Sequence, residues 1–282
     1  MKKICDKRCI IGEGPIWNVW EEKLYFTNGY GNEICCLDIE TGELQVRPVK
    51  VGCAAFAFDH EGRMIVSRAD GVMYLNEDNS TEYLYDPEKY PIRYGNDMKV
   101  GPDGALYVGT LSEKKKGISD KIDGKLYRIS PQGEVTVLLE NLDCSNGMDW
   151  SMDETRFYFT DSATNLIREF AFRKSNGSIT PTGREIHVPG VDGFTIDRKD
   201  RILATGWGFG CVYVIDTKSL TVTEKLPVPV AVPASCGFAG RNMDALAVVT
   251  ASYDADLDTY PESGATYLHR TDVPGRLPYL FG

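Results

Sequence analysis

The sequence lacks any run of apolar residues long enough to cross a bilayer, which takes about 20 such residues in a helix. It also lacks the apolar segment of a signal peptide, because Asp6, Lys7 and Arg8 stand where that segment would lie. These two absences argue against a helical membrane protein, and the expected location is the cytoplasm.

Positive charge is scarce as well. The 282 residues contain 31 Lys and Arg against 41 Asp and Glu, which gives a net charge of −10. A protein without a basic face cannot neutralise phosphates, so binding to nucleic acid or to an anionic membrane is not expected. The short run Lys114-Lys115-Lys116 is interpreted as part of a solvated loop.

Several motifs of common catalytic and metal sites are missing. The 3 histidines form no His-x-His or His-x-x-x-His pair, and no cysteines have Cys-x-x-Cys spacing, so the common zinc arrangements are absent. The 8 cysteines are interpreted as buried thiols, since a chain of this size needs no disulfide framework. No G-x-S-x-G sequence indicates a serine hydrolase.

Helical periodicity is almost absent too, and the sequence contains an internal repeat instead. Each unit begins with a short polar or small stretch, which is followed by strand-like residues, a charged turn and an apolar strand. The six units begin at positions 13, 54, 96, 146, 192 and 236. The repeat is clearest between NGMDWSMDETRFYFT, starting at 146, and DGFTIDRKDRILATG, starting at 192. Further alternating runs complete each unit, such as 33–38 and 44–49 in the first.

Four strands in each of six units of roughly 45 residues are typical of a six-bladed β-propeller, an all-β fold. The last unit is one strand short after residues 266–270. This predicts that the residues before Gly12 supply the outer strand of that blade and close the ring. No linker interrupts the repeat, so residues 1–282 are expected to form one propeller domain.

In a propeller the first strand of each blade lines the central channel, so the leading residues of the units should form a ring at one mouth. The predicted ring comprises Glu13, Ala54, Asn96, Asn146, Asp192 and Cys236. Two carboxylates and two amides around one axis are unfavourable without a cation, which predicts a divalent metal site. Oxygen donors favour Ca²⁺, Mg²⁺ or Mn²⁺, and Zn²⁺ also accepts carboxylates.

Each ring residue also has a simpler interpretation when it is considered alone. Glu13 fits a surface acid, Asn96 and Asn146 fit turn residues, and Asp192-Gly193 fits a hairpin corner. Asn146-Gly147 is likewise a common hairpin turn sequence. The shared position in four of six units favours the metal ring over these separate explanations.

Six segments resemble, in matching order from about residue 11 to the C-terminus, the family of senescence marker protein (regucalcin) and the sugar gluconolactonases. They are GEGPIW, GNDMKVGPDGALYVGT, SNGMDWSMD, FYFTDS, VDGFTID and PASCGFAG. The resemblance implies a six-bladed propeller that holds one divalent ion, with Ca²⁺ favoured, and hydrolyses a small-molecule lactone. Carried over by motif, Glu13, Asn146 and Asp192 would be metal ligands, with Asp192 also the general base. Asn96 would be a further ligand or a substrate contact.

Two departures from the family pattern concern substrate contacts. Sugar lactonases of the family often have Arg two residues before the Asn, whereas Arg93 stands three residues before Asn96. The family's substrate-contacting acid lies in a Glu-Glu pair, whereas Glu113 is followed by Lys114. Arg93 and Glu113 are therefore predicted either to contact substrate or to be solvated loop charges.

The channel mouth has three further candidate features. The segment 111–124, LSEKKKGISDKIDG, is an insertion that fits either a lid over a site or a surface loop. Trp207 and Phe209 fit either packing within a blade or an apolar lining of the mouth. The lactonase hypothesis has two rivals, a non-catalytic calcium-binding or regulatory protein and a scaffold for protein interactions. A scaffold needs no acidic ring, and a calcium buffer needs no substrate pocket.

Overall fold

Six four-stranded antiparallel sheets surround a central channel, which confirms the predicted six-bladed propeller. The structure is a computed structural model and describes residues 1–282. The first strands of the six blades contact one another in a closed circle around the channel, and the later strands of each blade lie progressively further out.

Twenty-four strands and two short 3₁₀ turns make up the regular structure, with no α-helix. The N-terminal strand and the first two blades contain β1 (Lys2–Cys5), β2 (Gly12–Asn18), β3 (Lys23–Asn28), β4 (Glu33–Leu37), β5 (Leu44–Pro48), β6 (Cys53–Phe58), β7 (Met64–Arg68), β8 (Gly71–Leu75) and β9 (Thr81–Tyr83). The third and fourth blades contain β10 (Gly95–Val100), β11 (Leu106–Thr110), β12 (Gly124–Ile129), β13 (Val135–Leu142), β14 (Ser145–Trp150), β15 (Arg156–Asp161), β16 (Leu166–Arg173) and β17 (Ser178–His187). The last two contain β18 (Val191–Ile196), β19 (Arg201–Gly206), β20 (Cys211–Asp216), β21 (Thr221–Pro227), β22 (Pro233–Ala239), β23 (Ala245–Thr250) and β24 (Thr266–Arg270). The 3₁₀ turns are Gly29–Gly31 and Ser162–Thr164, and no helical segment is long and apolar enough to cross a membrane.

The charged turn of the repeat is explained by an aspartate that organises the hairpin between the first two strands of a blade. Asp197 Oδ1 accepts hydrogen bonds from the backbone N–H groups of Lys199 (2.9 Å) and Arg201 (3.1 Å). Its Oδ2 accepts from the Arg201 guanidinium at 2.8 Å. Asp59 does the same with Arg63 in the second blade. An Asp with an Arg four residues later therefore fixes this turn in two blades, because the side chain satisfies backbone donors locally.

The ring closes where the N-terminal strand joins the last blade, as the sequence predicts. β1 pairs antiparallel with β24 through Lys2 opposite Leu268 and Lys3 opposite Tyr267. The sixth sheet therefore takes three strands from one end of the chain and its outer strand from the other. This arrangement leaves no blade with a missing strand, and β1 covers the edge that β24 would otherwise expose.

The C-terminal residues 271–282 cross the end of the channel opposite the ring, a feature that the repeat gave no reason to expect. Gly275 forms an isolated β-bridge with Asp197, and Phe281 forms one with Asp59. The segment thus joins the turns of the fifth and second blades across the axis. It also contributes Arg276, Leu277 and Tyr279 to the lining of the channel at that end.

A β-bulge interrupts the innermost strand of every blade near the predicted ring position. The pairing shifts between Gly95 and Met98, between Ser145 and Met148, and between Val191 and Phe194, with equivalent shifts in the other three blades. A bulge bends its strand and redirects the side chains next to it. In five blades the predicted ring position is therefore at the point where the inner strand leaves the regular pleat, whereas in the sixth the bulge lies before Cys236.

Asn146-Gly147 lies within β14 and not in a hairpin turn. Gly147 has no positive φ, so conformational freedom does not explain it. A Cβ at Gly147 would lie 2.7 Å from the backbone oxygen of Asp192, and one at Gly193 would lie 2.7 Å from the Ser235 Cβ. The glycine after the polar residue is thus required because neighbouring inner strands approach each other closely around the axis.

Aromatic residues fill the space between the third and fourth blades. Trp150 on β14 is fully buried, and its ring centroid lies 4.8 Å from that of Tyr107 and 5.0 Å from that of Phe157. Phe172 completes the cluster at 5.9 Å from Trp150. Trp150 therefore connects an inner strand of one blade to the core shared with the preceding blade.

We expect Trp150→Ala to lower the free energy of unfolding by about 3–5 kcal/mol, because it leaves a large cavity between two blades. Urea unfolding followed by circular dichroism measures the change. Trp20→Ala is the matched control, since Trp20 is 47% exposed and should lose less than about 1 kcal/mol. Equal losses in the two variants would contradict the proposed packing role of Trp150.

Candidate functional site in the central channel

A cavity of about 740 Å³ opens at one mouth of the channel, and the predicted ring lies on its wall. Five of the six predicted ring residues line it, namely Glu13, Ala54, Asn96, Asn146 and Asp192. The sixth, Cys236, was placed in the ring by the alignment of the repeat, and this placement is wrong. Cys236 pairs with Val248 and lines a separate cavity of about 90 Å³ further along the channel, because the bulge in β22 falls earlier in the strand.

A hydrogen-bond chain orients the two asparagine amides. Asn96 Nδ2 donates to the backbone oxygen of Ser145 at 2.8 Å and to Asn146 Oδ1 at 3.0 Å. Asn146 Nδ2 donates to Ser162 Oγ at 2.9 Å. Since both amide nitrogens are bound to protein acceptors, each side chain has a fixed orientation, and Asn96 Oδ1 is left without a protein donor.

Asp161 holds the segment that positions Asn146. Its carboxylate accepts from the backbone N–H groups of Asp143 (2.9 Å), Cys144 (2.9 Å) and Ala163 (3.2 Å). These bonds join the entrance of β14 to the 3₁₀ turn Ser162–Thr164, for which Asp161 is the N-cap. Ser162 is thereby fixed next to Asn146, so the FTDS motif supports the ring without belonging to it.

Neither ring carboxylate forms an ion pair, and burial outweighs the favourable contacts that each one has. Asp192 is 6% exposed, and its Oδ1 is buried without a hydrogen bond. Burial, with a contribution from Asp97, raises the pKa of Asp192 above its usual range. Burial and the charges of Asp192 and Asp97 raise the pKa of Glu13 in the same way. The channel therefore concentrates negative charge that the protein itself leaves unneutralised.

Asp97 is a third acid of this group, and sequence reasoning missed it. It lies on β10 directly after Asn96, within the bulge, and burial raises the pKa of its carboxyl. Its position next to a ring residue was a signal that could have identified it. In a regular strand, alternation would turn the Asp97 side chain away from the channel. The bulge instead brings it into electrostatic contact with Glu13 and Asp192.

The residues around the ring fit a divalent cation. All candidate donors are carboxylate or amide oxygens, the ligands that hard cations prefer. The unpartnered Asp192 Oδ1 supplies a buried acceptor that a cation would satisfy. The chain has no cluster of three His, Cys, Asp or Glu side chains arranged to hold a metal, so a site here depends on the amide oxygens of Asn96 and Asn146 as well as on two acids.

Arg93 and Glu113, the predicted substrate contacts, do not line the cavity. Arg93 is exposed, and its neighbour Tyr94 lines the wall instead. Glu113 accepts a hydrogen bond from Ser119 at 2.6 Å within its own loop. Neither side chain is therefore positioned to contact a substrate in this cavity, and their role in substrate binding stays a prediction.

The rim of the cavity is formed by side chains from several blades. Trp207 lines the cavity, whereas Phe209 is 56% exposed and lies over Gly190, so the two predicted aromatics have different positions. Tyr30 and Tyr253 also line the cavity and pack edge to face, with ring centroids 5.7 Å apart. The loop between β11 and β12 contributes Lys115 and Lys116.

A family profile described as "SMP-30/Gluconolactonase/LRE-like region" matches residues 11–252, most of the chain. The protein belongs to this family. The match begins next to Glu13 and ends after β23, so it includes all four oxygen-bearing ring residues.

Curated relatives of this family member cover nearly its whole length. A pentonolactonase of Haloferax volcanii is 28% identical over 90% of this chain and 86% of its own. The regucalcin of Gallus gallus is 26% identical over 96% of this chain and 94% of its own. A putative sugar lactone lactonase of Bacillus subtilis is 27% identical over 98% of this chain and 96% of its own.

Solved structures agree on the fold. A calcium-binding protein, regucalcin, from Agrobacterium tumefaciens superposes with a TM-score of 0.88 at 23% identity, over 100% of this chain and 97% of that one. A luciferin-regenerating enzyme superposes with a TM-score of 0.86 at 24% identity, over 97% of this chain and 96% of that one. At these identities the likeness establishes the six-bladed architecture of this family member.

A buried ion-pair network closes the channel beyond the ring. Asp149 is 3% exposed and accepts a hydrogen bond from Lys99 Nζ at 2.8 Å, and it also pairs with Arg276 of the C-terminal segment. Lys99 Nζ donates further to the backbone oxygen of Phe194 at 3.2 Å. Lys99 and Asp149 each stand three residues after a ring asparagine, a regularity by which the repeat could have revealed them.

Asp149 should make stability depend on pH. Burial raises the pKa of its carboxyl, but Arg276 and Lys99 outweigh burial and hold the pKa below its usual range. The unfolded chain, with an Asp pKa of about 3.9, then binds the proton more readily than the folded protein. Asp149 therefore contributes its full share of the free energy of unfolding above a pH of about 4. This contribution is lost as the pH falls through the lower pKa that Asp149 has in the folded protein.

We expect urea midpoints measured between pH 6 and pH 3 to fall more steeply for the wild-type protein than for Asp149→Asn. At pH 6 the variant should already be less stable by about 2–4 kcal/mol, because it leaves two partly buried cations without their buried anion. Asp244→Asn, which changes an exposed ion pair, is the control and should lose less than about 1 kcal/mol. Identical pH slopes for Asp149→Asn and wild type would exclude the assigned role.

Proposed function

We propose that this protein is a metal-dependent lactonase that opens a lactone ring in the mouth cavity. The observation that carries the proposal is the buried, unpartnered Asp192 carboxylate beside Glu13 and two fixed asparagine amides. Relatives named pentonolactonase and sugar lactone lactonase support the reaction class. A cavity of about 740 Å³ also lies within the range of about 300–1,000 Å³ usual for small-molecule sites.

Glu13, Asn146 and Asp192 would hold the cation, and Asn96 would be a fourth ligand or a substrate contact. A divalent cation at this position would polarise the lactone carbonyl and lower the pKa of water. Ca²⁺ is favoured, because the donors are all oxygens and a structure named calcium-binding regucalcin shares the fold.

Hydrolysis requires water to attack the carbonyl carbon and a proton to reach the ring oxygen. The acyl–oxygen bond breaks, the hydroxyl of water stays on the carbon, and the product is an open-chain hydroxy acid. Asp192 is the proposed general base. Its Oδ1, which carries no hydrogen bond, would face the cation, and its other carboxylate oxygen would take the proton from the attacking water and pass it to the ring oxygen. Glu13 has the role of a ligand, and Asn96 orients the substrate through its unoccupied Oδ1.

Calcium binding without catalysis is the second candidate function. The regucalcin relatives and the calcium-binding description of one solved structure favour it. The same ring would serve both functions, so the two differ only in whether a lactone in the cavity is hydrolysed. Proton release at constant pH from sugar, aliphatic and aromatic lactones distinguishes them.

We expect exhaustive chelation to abolish lactone hydrolysis, because the ring acids would lose the charge that compensates them. Restoring Ca²⁺, Mn²⁺, Mg²⁺ or Zn²⁺ should restore activity to different extents, since the ions differ in Lewis acidity and coordination number. The added ion should also raise the thermal midpoint, a readout that needs no activity. Full activity in protein shown to be metal-free by elemental analysis would refute the metal-dependent mechanism.

We expect Asp192→Asn and Glu13→Gln to differ, since only the former removes the proposed base. Asp192→Asn should lower kcat by roughly 10²-fold or more even at saturating metal, the usual scale for a lost general base. Glu13→Gln should chiefly weaken metal binding in calorimetry and recover activity as the ion concentration rises. Glu61→Gln, an exposed turn acid, is the control. Equal and fully metal-rescued losses in both ring variants would show that neither acid is the base.

A further inference from the structure

We propose that the lactone hydrolysed in the mouth cavity carries an anionic group, a carboxylate or a phosphate, which Lys115 and Lys116 bind at the rim. This inference rests on the proposed lactonase function and adds the substrate class. It departs from the expectation that the lysine run 114–116 is only a solvated loop.

In the loop between β11 and β12, two lysines lie next to acidic side chains and two do not. Lys114 lies outside the cavity lining and its Nζ is 3.9 Å from the Asp143 carboxylate. Lys121 Nζ lies 3.7 Å from Glu113. Lys115 and Lys116 line the cavity and form no ion pair with any acid of the protein. Lys114 and Lys121 are thus paired with acids, one from the β13–β14 connection and one from the loop itself, while Lys115 and Lys116 present two free cations to the cavity.

Hydrogen bonds fix the base of this loop next to the ring. The Ser112 hydroxyl donates to the Asp143 carboxylate and accepts from the Lys115 backbone N–H at 2.8 Å. The Lys116 backbone N–H donates to the Ser112 carbonyl at 3.1 Å. Because residue 143 lies at the entrance of β14, the two lysines are anchored beside the strand that carries Asn146.

The charge of the cavity favours an anionic substrate once the ring is neutralised. The charged lining consists of Glu13, Asp192, Asp254, Lys115 and Lys116. A divalent cation between the two ring acids changes the sum of these charges from one negative to one positive. Asp97 adds one negative charge beside the ring, but it lies outside this lining and shares the neighbouring cavity with Lys99. In a chain with a net charge of −10, the two lysines are a local positive feature at the mouth of the channel.

The lysines face the end of the substrate away from the reacting carbonyl. The carbonyl must lie against the ring, where Asp192 and the amides are, while the lysines stand on the loop at the rim. Lys115 and Asp192 line the same cavity, so the loop and the ring bound one site. A lactone of five or six ring atoms with a terminal carboxylate or phosphate would meet both groups at once.

The test compares substrates that differ only in this terminal group. Glucono-1,5-lactone is compared with its 6-phosphate, and glucono-1,4-lactone with glucaro-1,4-lactone, by hydrolysis at constant pH with the spontaneous rate subtracted. We expect at least one charged lactone to have the higher kcat/KM. In Lys115→Gln/Lys116→Gln the ratio of charged to neutral kcat/KM should fall about tenfold, the change that 1.4 kcal/mol produces. The two charged lactones also distinguish a carboxylate from a phosphate preference.

Lys114→Gln is the matched control, because it removes a lysine of the same run that lies outside the cavity lining. Its charged-to-neutral ratio should equal that of the wild-type protein. Raising the salt concentration from 0.05 M to 0.5 M should reduce the wild-type ratio by screening the lysines. A wild-type ratio near one, or a ratio that survives in the double variant, overturns the proposal while the lactonase function stands.

Binding of the open-chain acids gives a result that does not depend on catalysis. Calorimetry compares gluconate with 6-phosphogluconate and glucarate, each of which has one more anionic group. Tighter binding of either doubly charged acid to the wild-type protein, lost in Lys115→Gln/Lys116→Gln, supports the rim site. If no lactone is hydrolysed above the spontaneous rate, the lactonase function fails, and equal binding of all three acids then also overturns the rim site.

Discussion

The close approach of six inner strands around one axis is the constraint on which the rest of this structure depends. Strands that meet at such short distances leave no room for a Cβ at Gly147 or Gly193. They also force the polar residues that precede these glycines towards a common centre. The bulge in each inner strand is where this convergence breaks the regular pleat, and it is there that Glu13, Asn96 and Asp192 lie.

Convergence has an electrostatic consequence. Burial raises the pKa of Glu13, Asp97 and Asp192, and the charge of Asp97 raises the pKa of both Glu13 and Asp192 further. Further along the channel, the buried carboxylate of Asp149 is neutralised by the side chains of Lys99 and Arg276. The ring has no such internal partner. The contrast between a neutralised acid and an unneutralised group of acids in one channel supports a cation site at the ring.

The second fixed element is the loop between β11 and β12. Its Lys121 pairs with Glu113 of the same loop, and its Lys114 pairs with Asp143. The anchor at Asp143 places the other two lysines over the cavity. The loop therefore combines the two interpretations that the sequence allowed. It is solvated on its outer side and forms part of the site on its inner side.

The sequence by itself determined the repeat, the number of blades, the closing strand and four of the ring residues, because these follow from local patterns that recur at a regular spacing. The shared position of Glu13, Asn96, Asn146 and Asp192 in the repeat was enough to place them together. Cys236 was misplaced because the bulge of β22 falls between Pro233 and Ser235, before the predicted position, and the sequence pattern does not reveal where a bulge falls. Only the tertiary structure decided that Arg276 would reach Asp149 from 127 residues away, that Asp97 would join the acids, and that Lys115 and Lys116 would face the cavity. These placements depend on how a terminal segment crosses the axis, how a bulge turns a side chain and how a loop is anchored. None of these three features recurs at a regular spacing in the sequence.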